Sequence, residues 1–234
     1  MPLNKVNIKT NMYSFLNDYP TPGADRGYTI NFIKGTCPNE CPYCYMLGIV
    51  SGAPRLDRRE FRVNLGSGNF IFVGSSIDMW HEDIPIDWKV EVLDYCSTFD
   101  NKYLYQSKYP YSLVALERHM PGSVVLATTI ETNRWYPEYM GKTILPLDRA
   151  LCMRDLNKRG REVTITIEPI MDFDMEEMVQ MIEICGPSWV SIGADSKRHN
   201  LPEPERDKVL ELESKLSKFT KVYFKDNLDR IIQK

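Results

Sequence analysis

Seven short runs rich in β-branched and aromatic residues, at 28–33, 70–74, 103–106, 123–129, 162–167, 189–192 and 221–224, alternate with longer segments whose apolar residues recur at helical spacing. This alternation constrains the fold more than any other feature. Strands separated by helix-length segments cannot pair as hairpins, whereas parallel strands require such crossovers. The helices are expected near 45–51, 88–96, 112–119, 147–158, 175–184 and 203–218. Asp174 followed by Glu177 reads as a capping box, Gly186-Pro187 as the stop of that helix, and Gly160 as the end of the preceding one. Six or so βα units are too few for a closed eight-unit barrel. The expected class is α/β, a single-domain partial, open (βα)6-type parallel barrel with room for a seventh strand.

With 234 residues and 43% hydrophobic side chains, the chain can bury one sizeable core. We read one domain over 1–234, with an N-terminal extension over 1–27, the partial barrel over 28–225 and a tail over 226–234. No low-complexity tract, repeat or Ser/Gly linker divides it. The net charge of -3 gives no global signal for nucleic acid. No apolar run reaches the roughly 18 residues of a membrane span. The first residues carry no secretion or lipidation pattern, so the expected location is cytoplasmic, with no membrane partner.

Gly35-Thr36-Cys37-Pro38-Asn39-Glu40-Cys41-Pro42-Tyr43-Cys44 sets three cysteines at C-x3-C-x2-C spacing on one loop, directly after the first expected strand. Three thiolates hold three corners of a [4Fe-4S] cube and leave one iron open, because such clusters ordinarily take four cysteines. A zinc knuckle would need a fourth ligand near this loop, and the closest histidine is His81. A disulfide framework does not suit a chain of this length without a secretion signal. Cys96, Cys152 and Cys185 stand isolated on expected helices and read as buried structural thiols, not as an auxiliary cluster. A cobalamin domain has no room.

Ligands gather at the carboxyl ends of parallel strands in barrels and open sheets alike. Each expected strand here runs into polar residues: Gly74-Ser75-Ser76-Ile77-Asp78, Ser107-Lys108, Thr128-Thr129-Ile130-Glu131, Glu168-Pro169, Gly193-Ala194-Asp195-Ser196 and Lys225-Asp226-Asn227. Any one of them alone would pass for an ordinary turn.

The cysteine loop, with an aromatic Tyr43 before its third cysteine, resembles the signature of the radical S-adenosylmethionine (radical SAM) superfamily. The run of later motifs, from Phe72-Val73-Gly74-Ser75-Ser76-Ile77-Asp78-Met79 through Gln106-Ser107-Lys108, Ile167-Glu168-Pro169-Ile170 and Ile192-Gly193-Ala194-Asp195-Ser196 to Lys225-Asp226-Asn227-Leu228, is similar to an uncharacterised radical SAM family of bacteria and phages. More distantly, it is similar to the spore photoproduct lyase branch.

The resemblance implies a [4Fe-4S] cluster on Cys37, Cys41 and Cys44, with SAM chelating the open iron and being reductively cleaved to a 5'-deoxyadenosyl radical that abstracts hydrogen from a substrate. It also implies an external one-electron reductant of flavodoxin or ferredoxin type. The stretch Gly74-Ser75-Ser76 followed by Asp78 stands where the superfamily commonly has a Gly-Gly-Glu-like sequence; Ser75, Ser76 and Asp78 are the candidate acceptors for the SAM amine. Thr128, Thr129 and Glu131 face ribose or carboxylate by position, Glu168 adds a SAM-side or substrate-side carboxylate, and Lys108 pairs with the SAM carboxylate or an anionic substrate. His81, Glu82 and Asp83 are pocket rim, and Trp135, Tyr136 and Tyr139 a cover for a substrate base. No residue is singled out as catalytic.

A nucleobase or nucleotide is the preferred substrate, because Lys197-Arg198 and the series Lys215, Lys218, Lys221, Lys225 and Arg230 offer local positive charge to phosphates. A peptide or small metabolite stays open, as does a noncatalytic cluster-binding redox sensor. A zinc-stabilised nucleic-acid-binding domain lacks its fourth ligand.

Overall fold

The computed structural model describes residues 3–5 and 27–233. Ten strands and seven α-helices follow in chain order among them. The strands are β1 (Asn4–Lys5), β2 (Gly27–Ile30), β3 (Ile33–Lys34), β4 (Arg55–Leu56), β5 (Phe70–Val73), β6 (Lys102–Gln106), β7 (Val124–Thr129), β8 (Glu162–Ile167), β9 (Trp189–Ile192) and β10 (Lys221–Phe224). The helices are α1 (Ile86–Ser97), α2 (Tyr111–Ala115), α3 (Pro137–Met140), α4 (Pro146–Lys158), α5 (Met175–Cys185), α6 (Arg206–Leu216) and α7 (Asp229–Ile232).

One eight-stranded sheet runs in the order β1-β2-β5-β6-β7-β8-β9-β10, and β3 and β4 form a separate hairpin. Seven strands, β2 through β10 of that sheet, are mutually parallel, and β1 adds an antiparallel edge. The sheet does not close. The expected open, partial parallel barrel is therefore present, and its seventh parallel strand is β10.

Strand alternation decides what each face does. Ile71, Val73, Tyr103, Tyr105, Leu126, Val163, Ile165, Val190 and Ile192 pack outward into the main core with Val92, Leu93, Met153, Leu156, Ile182, Val209 and Leu212 of the helices. Phe70, Phe72, Leu104, Val125, Ala127 and Trp189 point the other way and form a second, smaller apolar cluster on the inner face. Toward their carboxyl ends the inner positions of β6, β7 and β8 turn polar, at Gln106, Thr129, Thr166 and, just beyond β8, Glu168.

The expected first strand, 28–33, breaks after Ile30. The Asn31 carboxamide accepts the Ser76 N–H at 2.9 Å, and the Phe32 carbonyl accepts the Asp57 N–H at 2.7 Å, which turns the chain outward into the β3–β4 hairpin. The helix expected over 45–51 is a series of turns instead; Pro42, Gly48 and the short N–H to carbonyl bonds from Cys41 to Ile49 break it up. Asp174 does precede α5, but its side chain does not cap the helix, because Arg134 occupies the carboxylate. Gly186 ends α5 in the left-handed conformation, which a residue without a Cβ adopts at little cost. The helix expected over 203–218 is α6 and starts at Arg206, later than expected, since Pro202 and Pro204 precede it. Beyond β10 the chain turns into α7, with Leu228 and Ile231 in the core.

Candidate functional site

The carboxyl ends of the parallel strands surround a cavity of about 550 Å3, within the general size range of small-molecule and cofactor pockets. Its wall on one side is the cysteine loop, with Cys37, Cys41, Cys44, Tyr43 and Tyr45. Strand ends complete it with Ser75, Ser76, Asp78, Gln106, Ser107, Lys108, Thr129, Thr166, Glu168, Asp195, Ser196, Lys225 and Asn227. The three cysteines are unpaired thiols. Burial, and then the Asp78 carboxylate, push the Cys37 thiol up to about 12; burial also pushes Cys41 up. Among the described residues no three His, Cys, Asp or Glu side chains converge closely enough to share a single metal ion.

Asp78 ties the cysteine loop to the sheet. Its carboxylate accepts the Asn39 Nδ2–H (2.8 Å), the Ser107 hydroxyl (2.9 Å), the Lys108 N–H (2.8 Å) and the Trp80 N–H (3.1 Å), while its own N–H points at the Cys37 sulfur at 3.4 Å. The turn at 140–142 supports the loop from behind. Lys142 donates its N–H to the Asn39 carbonyl at 2.7 Å, and the Cys41 thiol lies 3.7 Å from the Met140 carbonyl. Gly141 sits between them at φ +62°, where an added Cβ would stand 2.2 Å from the Asn39 carbonyl oxygen. Gly141→Ala is expected to lower stability by roughly 1–3 kcal/mol through this clash and the left-handed backbone, read as a fall in thermal midpoint against wild type.

Behind the loop lies a buried ionic group. Glu131, fully buried, pairs with Arg149 and with Lys108, both at 2.8 Å, and accepts a hydrogen bond from the Tyr43 hydroxyl. The Lys108 ammonium lies 4.4 Å from the centre of the Tyr43 ring and 3.8 Å from the Cys41 sulfur. Burial pushes the Glu131 carboxyl up, yet Arg149 and Lys108 outweigh it and hold the group down at about 2. Arg149 also donates to the carbonyls of Thr129 (2.7 Å) and Ile144 (3.0 Å).

A second pair lines the cavity at the ends of the later strands. Glu168 accepts from Lys225, and from Asn227 Nδ2 at 2.9 Å. Gly193 beside them leaves the room, because a Cβ there would meet Glu168 Oε1 at 2.8 Å and Asn227 Oδ1 at 2.9 Å. Asp195 folds the next loop by accepting the Lys197 N–H at 3.1 Å and pairing with His199 Nδ1 at 2.7 Å.

Of the residues expected from sequence, Cys37, Cys41, Cys44, Tyr43, Ser75, Ser76, Asp78, Lys108, Thr129 and Glu168 line the cavity. Glu131 stands one layer behind, reaching it through Lys108 and Tyr43. Thr128 does not reach it, because alternation turns it to the opposite face from Thr129, where its hydroxyl donates to the Ser107 carbonyl at 2.7 Å. His81, Glu82 and Asp83 are not rim: His81 is buried against Tyr109, and none of the three lines the cavity. Tyr136 and Tyr139 pack with Cys41, Tyr43, Met171 and Leu201, supporting the loop from outside the cavity. Cys96, Cys152 and Cys185 are buried, as expected.

The sequence assigns no role to Asn31, Asn39, Thr166 or Arg149, and Gln106 enters there only within the Gln106-Ser107-Lys108 motif. Only Arg149 left a trace, since it falls on the same helical face as the buried Pro146, Ala150, Met153 and Leu156.

No protein-family model and no curated protein matches the chain. Solved structures do. A point mutant of spore photoproduct lyase superposes with a TM-score of 0.60 at 14% identity, over 88% of this chain and 79% of that one. Methylornithine synthase (PylB) gives 0.54 at 15% identity, over 84% and 63%. Streptococcus suis SuiB bound to precursor peptide SuiA gives 0.58 at 11% identity, over 84% and 48%. All three are radical SAM enzymes. The fold of this chain is accordingly the partial barrel of radical SAM enzymes.

Proposed function

We propose that this chain is a radical SAM enzyme. The observation that carries the reading is the placement of three thiols from one loop on one wall of the cavity at the carboxyl ends of a parallel partial barrel. The donor set fits a [4Fe-4S] cluster. Cys37, Cys41 and Cys44 would hold it, and a cube spreads its three thiolates over three irons, so they need not meet at one point as around a single ion. The chemistry supplied there is one-electron cleavage of SAM to methionine and a 5'-deoxyadenosyl radical, with the electron coming from an external carrier.

The residues of the chain position and enclose. Asp78 and the 140–142 turn hold the loop in place, and the Lys108–Glu131–Arg149 group fixes a cation beside Cys41. Ser75 and Ser76, carried by Asn31, close the wall beyond β5. Gln106, Thr129, Thr166 and the Glu168–Lys225–Asn227 group supply polar contacts at the strand ends. On this reading Thr129 and Glu168 face SAM or substrate, whereas Thr128 only braces the sheet.

For the substrate we favour a nucleobase or nucleotide. Lys197 and Arg198 stand on the loop beside Asp195, where phosphates would meet positive charge. A similar structure, a doubly substituted spore photoproduct lyase (TM-score 0.56, 14% identity, 86% of this chain and 64% of that), contains bound AdoMet and dinucleoside spore photoproduct, which supports both the cofactor and this substrate class.

The test is anaerobic reconstitution with iron and sulfide, followed by dithionite and SAM. About four irons per chain and formation of 5'-deoxyadenosine are expected. A loaded cluster whose EPR signal ignores SAM, with no deoxyadenosine, would favour a redox-sensing cluster protein instead.

A further inference from the structure

The loop that carries the cysteines has two sides. Tyr45, Met46, Leu47 and Val50 line the cavity, whereas Ile49 does not and is 67% exposed on the outer surface. Past Ile49 the chain folds back against the start of the loop. The Thr36 N–H, next to Cys37, donates to the Gly52 carbonyl at 2.9 Å, and a Cβ added at Gly35 would stand 2.5 Å from the Ala53 carbonyl oxygen. The segment 51–62 is thereby fixed beside Cys37, and none of its residues lines the cavity.

The outer side of this segment is positive, because its acids turn in and its arginines turn out. The Asp57 side chain, 9% exposed, is taken by Lys34 at 3.0 Å and by Arg59 at 2.8 Å, and the Glu60 side chain, 13% exposed, by Lys34 at 2.6 Å. Arg58 and Arg59 are 66% and 72% exposed, and Arg58 shares its charge with Glu91 of α1. Arg55, directly across the β3–β4 hairpin from Lys34, and Arg62 are exposed and pair with no carboxylate among the described residues. On a chain whose net charge is -3 this is a local surplus of positive charge.

SAM and substrate approach the cavity side of the loop, so what meets the outer side need not enter the cavity. A nucleic-acid substrate would want its cations at the cavity mouth, where Ser196 leads into Lys197 and Arg198, and not behind the loop. An apolar contact within an arginine-rich polar rim is the usual make-up of a protein interface, and opposite charge across it speeds encounter and fixes register.

We propose that the surface of Ile49, Arg55, Arg58, Arg59 and Arg62 docks an acidic one-electron carrier protein, which reduces the cluster through the outer side of the cysteine loop. This rests on the radical SAM reading above. The step moves one electron from the reduced carrier, which is oxidised by one, to the cluster; no atom crosses the interface.

Reconstituted protein under anaerobic conditions tests the assignment, with an acidic flavodoxin and a plant-type ferredoxin as probes and dithionite as a small reductant that needs no docking surface. The doubly charge-reversed variant, Arg55→Glu with Arg62→Glu, is expected to raise the carrier dissociation constant by about 10- to 100-fold at low salt, and to slow carrier-driven deoxyadenosine formation to match. Ile49→Ser should weaken the carrier without changing the salt dependence, whereas high salt should weaken wild type and leave the charge-reversed variant little altered. Iron content and the dithionite-driven rate should stay within about twofold in both variants. Unchanged carrier binding overturns the proposal, as does wild type that binds neither carrier. Equal loss of the carrier-driven and dithionite-driven rates overturns it too, since the variants would then have disturbed the loop itself. Loss of binding to a single-stranded oligonucleotide with carrier binding intact would make this a nucleic-acid surface instead. Cluster-loaded wild type that yields no deoxyadenosine with dithionite sinks the enzyme reading, a separate result, and carrier binding still decides the docking surface.

Discussion

Cys41→Ala is expected to remove iron binding and deoxyadenosine formation together. Loss of an outer partner of a metal ligand already costs roughly 10- to 100-fold in metal affinity or activity, and loss of a ligand itself exceeds that. Cys41 is the buried member of the three, packed on Met171 and Leu201 and held by the 140–142 turn, so no other side chain can swing into its place. Cys185→Ala is the matched control. Its thiol is buried and donates to the Met181 carbonyl at 3.1 Å, away from the cavity. Iron per chain and deoxyadenosine yield after identical reconstitution decide the matter: equal values for Cys41→Ala and wild type would refute the ligand assignment.

Glu131→Ala is expected to destabilise the fold by about 3–5 kcal/mol, because it leaves the fully buried Arg149 guanidinium and the Lys108 ammonium without their carboxylate. Against the roughly 5–15 kcal/mol that holds a domain together, much of the chain would unfold at mild urea concentrations. Urea midpoints measure it, and a shift below about 1 kcal/mol would show that solvent reaches Arg149. The pH dependence has a definite sign. The Glu131 carboxyl is depressed from its ordinary 4.5 to about 2, so the folded state favours the ionised form. Its contribution is complete above pH 4.5 and is lost as pH falls through about 2. Glu131→Gln should flatten this acid limb of the stability profile; an unchanged limb would assign it to other carboxylates.

The seven parallel strand runs, their parallel sense and the position of the cysteine loop after the first of them were legible in the chain, because each depends on local properties. Period-2 and period-3.6 patterning, β-branched runs, and glycines such as Gly160 and Gly186 act within a few residues of themselves. The seven parallel strands follow from that patterning, and so does the cavity at their carboxyl ends.

What the patterning could not carry was direction and partnership. Thr128 and Thr129 are adjacent and chemically identical, yet only register places one in the cavity and the other behind the sheet. Asp78 reads as a free acceptor until Asn39, Ser107 and Lys108 arrive from two other segments and occupy it. Arg149 falls on the apolar face of its helix with no visible reason until Glu131 meets it in the core. These choices belong to tertiary structure for a physical reason. A hydrogen bond or buried ion pair is set by groups far apart in sequence, 18 positions in Arg149–Glu131, 41 in Asp78–Cys37 and 88 in Tyr43–Glu131, and only the folded backbone brings such groups together.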